Sequence, residues 1–218
     1  MHVRRCPKSF LRRTLLRGAY AALGFAFACA PPTAASDDAP LAIPFTVSDH
    51  FDPTGYLGDG ATIGNVNMVA ADCPTRAPNP LGDCYHVTYN PPIPAASYYA
   101  GVFWQYPGNN WGDYYGHTVL PGATKATVWA RGEKGGEQIV FKVGGIAPTN
   151  PANDKTLGFA VSAPPVTLTT QWAEYTVDFG GAPYNEVLGG FAWVINLPTN
   201  GSATAPIVFY LDSIRWSQ

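Results

Sequence analysis

Short segments in which apolar and polar residues alternate recur along most of this chain, and they constrain its fold more than any other feature. In Gln138–Val143, the side chains of Ile139, Phe141 and Val143 share one side, as expected for a strand with one buried face. The segments are separated by turns rich in glycine and proline, which number 23 and 21 among 218 residues. No stretch shows the 3.6-residue apolar spacing of an amphipathic helix. The pattern excludes a coiled coil or a helical bundle and predicts an all-β chain.

The alternation predicts nine strands, and one sheet could not bury so many aromatic residues on a single face. We therefore expect a two-sheet antiparallel β-sandwich of jelly-roll type with about eight or nine strands. The run at 52–60 has turn chemistry throughout and is interpreted as a structured loop within a loop-rich segment at 50–83. The predicted strands lie near residues 43–48, 84–90, 99–106, 124–131, 137–145, 165–169, 173–179, 188–196 and 206–216.

The first 35 residues have the pattern of an export signal. Six basic residues precede an apolar stretch at 18–30, which is shorter than the roughly 20 residues that span a bilayer, so no transmembrane segment is expected. A linker at 36–42 and a β-sandwich domain at 43–218 would follow. We expect an exported protein that is periplasmic, extracellular or attached to the cell surface. A degraded lipobox ending at Cys29 leaves a lipid anchor as an alternative, and Arg12-Arg13 leaves both Sec and twin-arginine export open.

The charge of the chain changes once this signal is set aside. All fifteen acidic residues but only seven of the thirteen basic ones lie after residue 35, which gives that part a formal charge of −8. An acidic domain does not attract nucleic acid or anionic lipid. It is better suited to a neutral ligand or to a divalent cation.

Two cysteines remain after the signal, and they flank one loop. Cys73 and Cys84 enclose ten residues rich in proline and glycine, which cannot form a strand. In an oxidising compartment such a pair most simply forms a disulfide that closes the loop, worth about 2–3 kcal/mol of stability. His86 lies nearby, but a zinc or redox site would need further ligands.

The densest aromatic run of the chain lies at 103–115, interleaved with amides and partly inside a loop of proline, glycine and asparagine. A loop offers little core, so some of these rings are expected at the surface. An exposed ring stacks on the apolar face of a sugar, while amide and carboxylate groups bond its hydroxyls. The alternative is that Phe103 belongs to the core and Trp111 covers it as a lid. The predicted ligand-binding residues are Trp104, Gln105, Tyr106, Asn109, Asn110, Trp111, Asp113, Tyr114 and Tyr115.

The two ends of the domain carry an acidic residue each in an apolar setting. Asp49 lies in the opening run Val47–Phe51, and Asp212 lies in the closing run Phe209–Trp216. Together with the strand count, these runs resemble the β-jelly-roll, galactose-binding-like carbohydrate-binding modules. That resemblance implies a structural calcium held by Asp49 and Asp212, since hard oxygen donors suit this ion. It also implies a polysaccharide or oligosaccharide as the partner. The alternative for Asp212 is a salt bridge or a turn hydrogen bond.

Enzymatic interpretations have less support in the sequence. Glu174 and Asp178 point to one side of a strand but are separated by about 13 Å, which is too far for a retaining glycosidase pair. No serine-hydrolase, zinc-protease or phosphate-binding motif occurs. We expect a binding protein without catalysis, with a glycoside hydrolase or polysaccharide lyase as the first alternative and a surface or matrix structural protein as the second. The sequence leaves the oligomeric state open.

Overall fold

The computed structural model describes residues 39–146, 161–180 and 182–218, and the predicted export signal lies outside these ranges. The described residues form fourteen strands and three short 3-10 helices. The strands are β1 (Phe45–Thr46), β2 (Asp52–Gly58), β3 (Val66–Ala70), β4 (Cys84–Tyr89), β5 (Tyr99–Gln105), β6 (His117–Thr118), β7 (Lys125–Gly132), β8 (Gln138–Val143), β9 (Val161–Ser162), β10 (Val166–Thr167), β11 (Ala173–Asp178), β12 (Glu186–Val187), β13 (Gly189–Asn196) and β14 (Ile207–Ser217). The 3-10 helices are η1 (Val47–Asp49), η2 (Asp59–Ala61) and η3 (Pro198–Asn200).

Two antiparallel sheets form a sandwich. The first has the order β11-β7-β14-β4-β3, with β1 also paired to β14, and the second has the order β10-β8-β13-β5-β2, with β9 also paired to β8. Along the chain, β4, β5, β7, β8, β11, β13 and β14 belong alternately to the first and the second sheet. This alternation gives a jelly roll, and the predicted fold class is confirmed. The predicted number of eight or nine strands is too low, since the described residues form fourteen, five of which have only two residues.

Aromatic pairs join the inner faces of the two sheets. The ring of Trp193 on β13 meets Phe209 on β14 edge to face at 5.1 Å, and Trp104 on β5 meets Tyr85 on β4 in the same way at 5.2 Å. Both tryptophans are fully buried. Such edge-to-face pairs contribute about 0.5–1.5 kcal/mol each beyond the area they bury. The large aromatic content therefore serves mainly to fill the space between the sheets.

The prediction of a loop at 52–60 is wrong, because this segment forms strand β2 and the start of helix η2. Strand β2 pairs with β5, and Gly55 allows the close approach, since a Cβ there would lie 2.7 Å from the Cδ of Gln105. Asp59 is also buried, and its carboxylate accepts hydrogen bonds from the Tyr89 hydroxyl and from the Ala96 and Ser97 amides. The residues that suggested a loop thus belong to an edge strand and to the 3-10 helix that follows it, where Asp59 has its hydrogen-bonding partners inside the protein.

The domain also begins slightly earlier than the predicted linker boundary. Leu41 is buried, its amide donates to the Thr118 carbonyl, and its carbonyl accepts from the Leu120 amide. Residue 41 therefore belongs to the folded domain and not to a linker that ends at residue 42.

Candidate ligand-binding surface

Strand β5 carries the start of the predicted binding run, and its alternation divides those residues between two faces. Val102 and Trp104 point into the core between the sheets. Trp104 is fully buried, packs against Phe191 and donates its Nε1 hydrogen to the Tyr85 hydroxyl at 3.4 Å. The prediction that Trp104 stacks on a ligand is therefore wrong, because the ring fills the core.

Gln105 and Asn110 are buried as well, and the prediction that they bond a ligand's hydroxyls is wrong because their amide groups are bonded within the protein. The Nε2 group of Gln105 donates to the Asn110 carbonyl at 2.9 Å, and its Oε1 atom accepts from the Thr54 hydroxyl at 3.1 Å. These bonds leave both amide ends of Gln105 engaged within the protein. The residue fixes the loop after β5 to the neighbouring strand β2.

Asn110 organises the loop that follows. Its Nδ2 group donates to the carbonyls of Tyr106 and Tyr114, each at 3.0 Å. Its Oδ1 atom accepts from the amides of Gly112, Asp113 and Tyr114 at 3.0–3.2 Å. One buried side chain thus supplies five hydrogen bonds to the backbone around it. The loop is held in one conformation although it contains no regular secondary structure.

Three rings on this ordered loop reach solvent. Trp111 is 39% exposed, Tyr115 is 43% exposed and Tyr114 is 63% exposed. Trp111 also packs edge to face on Phe103 at 6.1 Å, so it covers Phe103 while keeping part of its own ring free. Asn109 and Asp113 are exposed beside these rings. We call Asn109, Trp111, Asp113, Tyr114 and Tyr115 the aromatic loop.

Tyr106 is the remaining residue of the predicted set, and it lies at the edge of the loop. Its half-buried ring stacks on His117, with the ring centroids 3.4 Å apart and the planes 22° from parallel. The Nε2 atom of His117 is 2.9 Å from the His50 carbonyl, so this stack links the loop to the start of the domain. Tyr106 presents less free ring surface than the aromatic loop does.

The outer face of the second sheet continues the surface away from the aromatic loop. Leu57, Gly101, Val194 and Val140 are aligned in one row across β2, β5, β13 and β8. Gly101 keeps this row flat, since a Cβ there would lie 2.7 Å from the Trp193 carbonyl oxygen. The three flanking side chains are half-buried, so the row is an apolar floor that solvent still reaches.

Tyr99 ends this floor on the side opposite the aromatic loop. It has the same parity on β5 as Gly101 and Phe103 and is 41% exposed. Its Cα lies about 13 Å along the strand from that of Phe103, the residue that Trp111 covers. Sequence reasoning missed Tyr99 and the floor, although the shared parity with Phe103 was a signal that could have identified both.

The predicted calcium site at the ends of the domain does not fit the residues present there. Asp212 is fully buried and accepts four hydrogen bonds: from Arg76 Nε at 2.7 Å and Arg76 Nη2 at 2.8 Å, and from the Ala77 amide at 2.9 Å and the Ser213 hydroxyl at 3.0 Å. A cation there would have to displace a guanidinium. Asp49 is exposed on η1. Within the described ranges, no group of three or more acidic, histidine or cysteine side chains is arranged to hold a metal ion.

This arrangement predicts that the domain does not depend on calcium at Asp212. The melting temperature should be the same with a calcium chelator as with added calcium, because the carboxylate is already compensated by Arg76. Calorimetric melting of the protein in both conditions checks the expectation. If the chelator lowered the melting temperature of the wild type but not that of Asp49→Asn, this expectation would be wrong and calcium binding at Asp49 would be supported.

The same carboxylate fastens the disulfide loop to the first sheet. Cys73 and Cys84 are bonded with their Cα atoms 6.3 Å apart, which confirms the predicted disulfide. Arg76 and Ala77 inside the loop bind Asp212 on β14, and the Leu81 amide donates to the Ser213 hydroxyl. Burial raises the pKa of Asp212, but the hydrogen bonds from Arg76, Ala77 and Ser213 lower it by more, so its pKa lies below the ordinary value.

No protein-family model matches the chain, and no curated protein matches it either. Solved structures of similar fold include carbohydrate-binding modules. A family 30 module of a cellulosomal cellulase of Clostridium thermocellum is 11% identical, with a TM-score of 0.48 over 81% of this chain and 98% of that one. A family 61 module in complex with β-1,4-galactotriose is 15% identical, with a TM-score of 0.45 over 78% and 90%. A family 11 module of Clostridium thermocellum in complex with a mixed-linked tetrasaccharide is 11% identical, with a TM-score of 0.39 over 76% and 96%. These likenesses concern the strand arrangement, and the surface described above rests on this chain's own residues.

The carboxylates considered for catalysis are Glu174 and Asp178, and both are exposed on the edge strand β11. Asp178 accepts a hydrogen bond from the Gly180 amide, a local turn contact. Neither residue is part of the aromatic loop or the apolar floor.

The helices of the described residues are all short 3-10 helices, and none could span a membrane.

Proposed function

We propose that this is an exported, non-catalytic protein that binds a neutral polysaccharide or oligosaccharide by stacking sugar rings on the aromatic loop. The observation that carries the proposal is the partial exposure of Trp111, Tyr114 and Tyr115 on a loop held by Asn110. Several large aromatic rings that are partly exposed on one loop are typical of a binding surface. A loop that is already ordered loses little entropy when a ligand arrives.

The chemistry of the surface favours an uncharged sugar. The apolar floor of Leu57, Gly101, Val194 and Val140 carries no ionisable group, so it suits the C–H face of a pyranose better than an ionic ligand. Hydroxyl groups of the same ligand would find partners in the amide of Asn109 and the carboxylate of Asp113. The ligand would lie between Tyr99 and Trp111, with the floor beneath it.

Single substitutions in the aromatic loop test this proposal. We expect Trp111→Ala and Tyr114→Ala each to raise the dissociation constant for the recognised glycan about tenfold, because a lost stacking contact corresponds to roughly 1.4 kcal/mol. Affinity electrophoresis against a panel of polysaccharides identifies the ligand, and calorimetry then measures the affinities. Leu120→Ala is a matched control, since Leu120 is 45% exposed outside the loop. Absence of binding to every glycan, or equal affinities in all variants, would contradict the proposal.

The same panel separates the alternatives. A glycoside hydrolase would release reducing ends from the recognised polysaccharide, and a lyase would release an unsaturated product that absorbs in the ultraviolet. Neither product is expected, because Glu174 and Asp178 lie on the edge strand β11, outside the aromatic loop and the apolar floor. A surface or matrix structural protein would bind no polysaccharide of the panel.

A further inference from the structure

The outer face of the first sheet carries a cluster of aromatic and cationic side chains that is separate from the aromatic loop. His86 on β4, Tyr210 on β14 and Arg131 on β7 lie directly opposite one another across three neighbouring strands. Their side chains point away from the core, since the residue just before each of them belongs to it. Trp172 lies just before β11, the strand on the other side of β7. We call His86, Tyr210, Arg131 and Trp172 the outer cluster.

The guanidinium group of Arg131 is held in place by two rings of this cluster. Its Cζ atom lies 4.0 Å from the ring centroid of Tyr210 and 5.6 Å from that of Trp172. The Tyr210 hydroxyl donates in turn to Glu133 Oε2 at 2.9 Å. The Trp172 Nε1 group donates to the Thr75 hydroxyl at 3.2 Å. Because both rings are anchored, the arginine stacks on a rigid support and loses little freedom when a ligand binds.

The same guanidinium group has no acceptor. Among the described residues it makes neither a hydrogen bond nor a salt bridge, whereas Arg76 binds Asp212 through two nitrogens. The Nε atom of Arg131 is buried without a partner, while the rest of this half-buried side chain reaches solvent. The carboxylate of Glu133 is bound by Tyr210 instead. A partly desolvated cation without an acceptor favours an anionic ligand, since charge-assisted hydrogen bonds are strong.

The side chains around Arg131 suit a sugar that bears a carboxylate. A planar guanidinium binds a carboxylate through two parallel hydrogen bonds. The half-buried ring of Trp172 offers an apolar face to the C–H groups of a pyranose. His86 has its Nδ1 atom 2.9 Å from Asp72 Oδ2, and its Nε2 atom, which has no partner in the described ranges, can bond a hydroxyl.

We propose that the outer cluster binds a uronate residue, with the sugar carboxylate on Arg131 and a hydroxyl on His86. These two side chains lie on strands separated by β14, about 10 Å apart, which one pyranose and its two hydrogen bonds bridge. The site differs from the apolar floor, which carries no ionisable group and lies on the second sheet. The protein thus holds an acidic sugar and a neutral glycan on opposite sheets.

The charges near the site set the strength of this binding. The carboxylates of Glu133 and Asp72 flank the outer cluster, and each is bound by a side chain of the cluster. A uronate is therefore attracted by one local cation within an acidic domain. We expect a modest affinity that falls as the salt concentration rises.

Nuclear magnetic resonance titration of the nitrogen-15-labelled protein tests the proposal. The probes are sodium D-glucuronate and sodium D-galacturonate, and the readouts are the Arg131 Nε–H and Trp172 Nε1–H signals. We expect both signals to shift with either uronate. D-glucose and D-galactose should leave them unchanged, and acetate at equal ionic strength should bind at least tenfold more weakly, since it lacks the ring and the hydroxyls.

Substitutions assign the binding to the outer cluster. Arg131→Gln should weaken uronate binding at least tenfold, measured on the Trp172 signal, because the charged pair is lost. Trp172→Ala should weaken it as well, measured on the Arg131 signal. Arg215→Gln is the matched control, since Arg215 is a half-buried arginine of the same sheet with no ring contact in the described part of the chain. Thermal melting verifies that each variant folds.

Three results would overturn the proposal: no shift of either signal with uronate, equal uronate affinity in Arg131→Gln and the wild type, or acetate binding as tight as that of uronate. The outcome is independent of the aromatic loop. Trp111→Ala should bind uronate like the wild type, so a failure of neutral glycan binding and a failure of the outer cluster can be told apart.

Discussion

The Asn110→Ala variant is expected to lose about 3 kcal/mol of unfolding free energy and at least tenfold in glycan affinity. Asn110 is only 1% exposed and makes five hydrogen bonds to the loop backbone. A net contribution of about 1 kcal/mol for each hydrogen bond, partly offset by relaxation of the loop, gives this magnitude. Affinity falls because Trp111 and Tyr114 lose the scaffold that orders them, although Asn110 itself does not contact the ligand.

Chemical denaturation and calorimetric binding measure the two effects on the same protein. Asn109→Gly is the matched control for stability: Asn109 is exposed, and its φ of 62° lies in the left-handed region that glycine adopts without strain. We expect the control to unfold like the wild type. If Asn110→Ala kept wild-type affinity despite its lower stability, the loop would not need to be pre-ordered, and the proposed role of Asn110 in binding would be wrong.

The Arg76→Ala variant is expected to be destabilised by about 3–5 kcal/mol at neutral pH, because it leaves the buried carboxylate of Asp212 without its cation. The guanidinium also donates to the Gly82 carbonyl, so the substitution frees the disulfide loop from the first sheet at two points. The loop remains closed by the Cys73–Cys84 bond. The effect is therefore specific to the ion pair and does not come from opening the covalent loop.

The size of this effect depends on pH in a definite direction. The pKa of Asp212 in the folded protein lies below its ordinary value, so ionised Asp212 contributes its full stability above the unfolded pKa, which is about 4. That contribution is lost as the pH falls through the folded pKa. In Arg76→Ala the lowering influence of the guanidinium is gone, so we expect the pKa of Asp212 to be higher than in the wild type. The difference in stability between wild type and variant should thus be largest at neutral pH and shrink below about pH 4.

Denaturant titrations at a series of pH values test this expectation. Arg76→Lys keeps the positive charge but cannot bind both carboxylate oxygens and the Gly82 carbonyl in the same planar geometry, so an intermediate stability is expected. A difference between wild type and Arg76→Ala that is constant from neutral to acidic pH would show that the ion pair is not its origin.

The strands were largely predictable from the sequence because alternation is a local property. All nine predicted segments overlap observed strands, and the loop closed by Cys73 and Cys84 was recognisable from its composition. Strand β2 was not, since Asp52–Gly58 contains the residues typical of turns and is held in the sheet by its pairing with β5. Strand β3 was missed within the same loop-rich segment, where its pairing with β4 keeps it extended.

The candidate site was only partly predictable for a related reason. The aromatic density correctly located an exposed aromatic loop, yet the same run contains Trp104, which is fully buried, and Trp111, which is 39% exposed. Composition treats the two tryptophans alike. Their difference depends on the sheet that covers one of them and on the absence of a covering sheet over the other.

By itself, the sequence determined the alternating strands, the sandwich class, the disulfide and the acidic charge of the domain, since each follows from neighbouring residues or from simple composition. Only the tertiary structure decided which side of β5 faces the core, and that Asp212 is paired with Arg76. Arg76 and Asp212 are 136 residues apart in the chain. Their contact arises because the disulfide loop folds over β14, and no periodicity in either segment encodes that meeting. The exposed rings, the apolar floor and the ion pair all depend on such long-range packing.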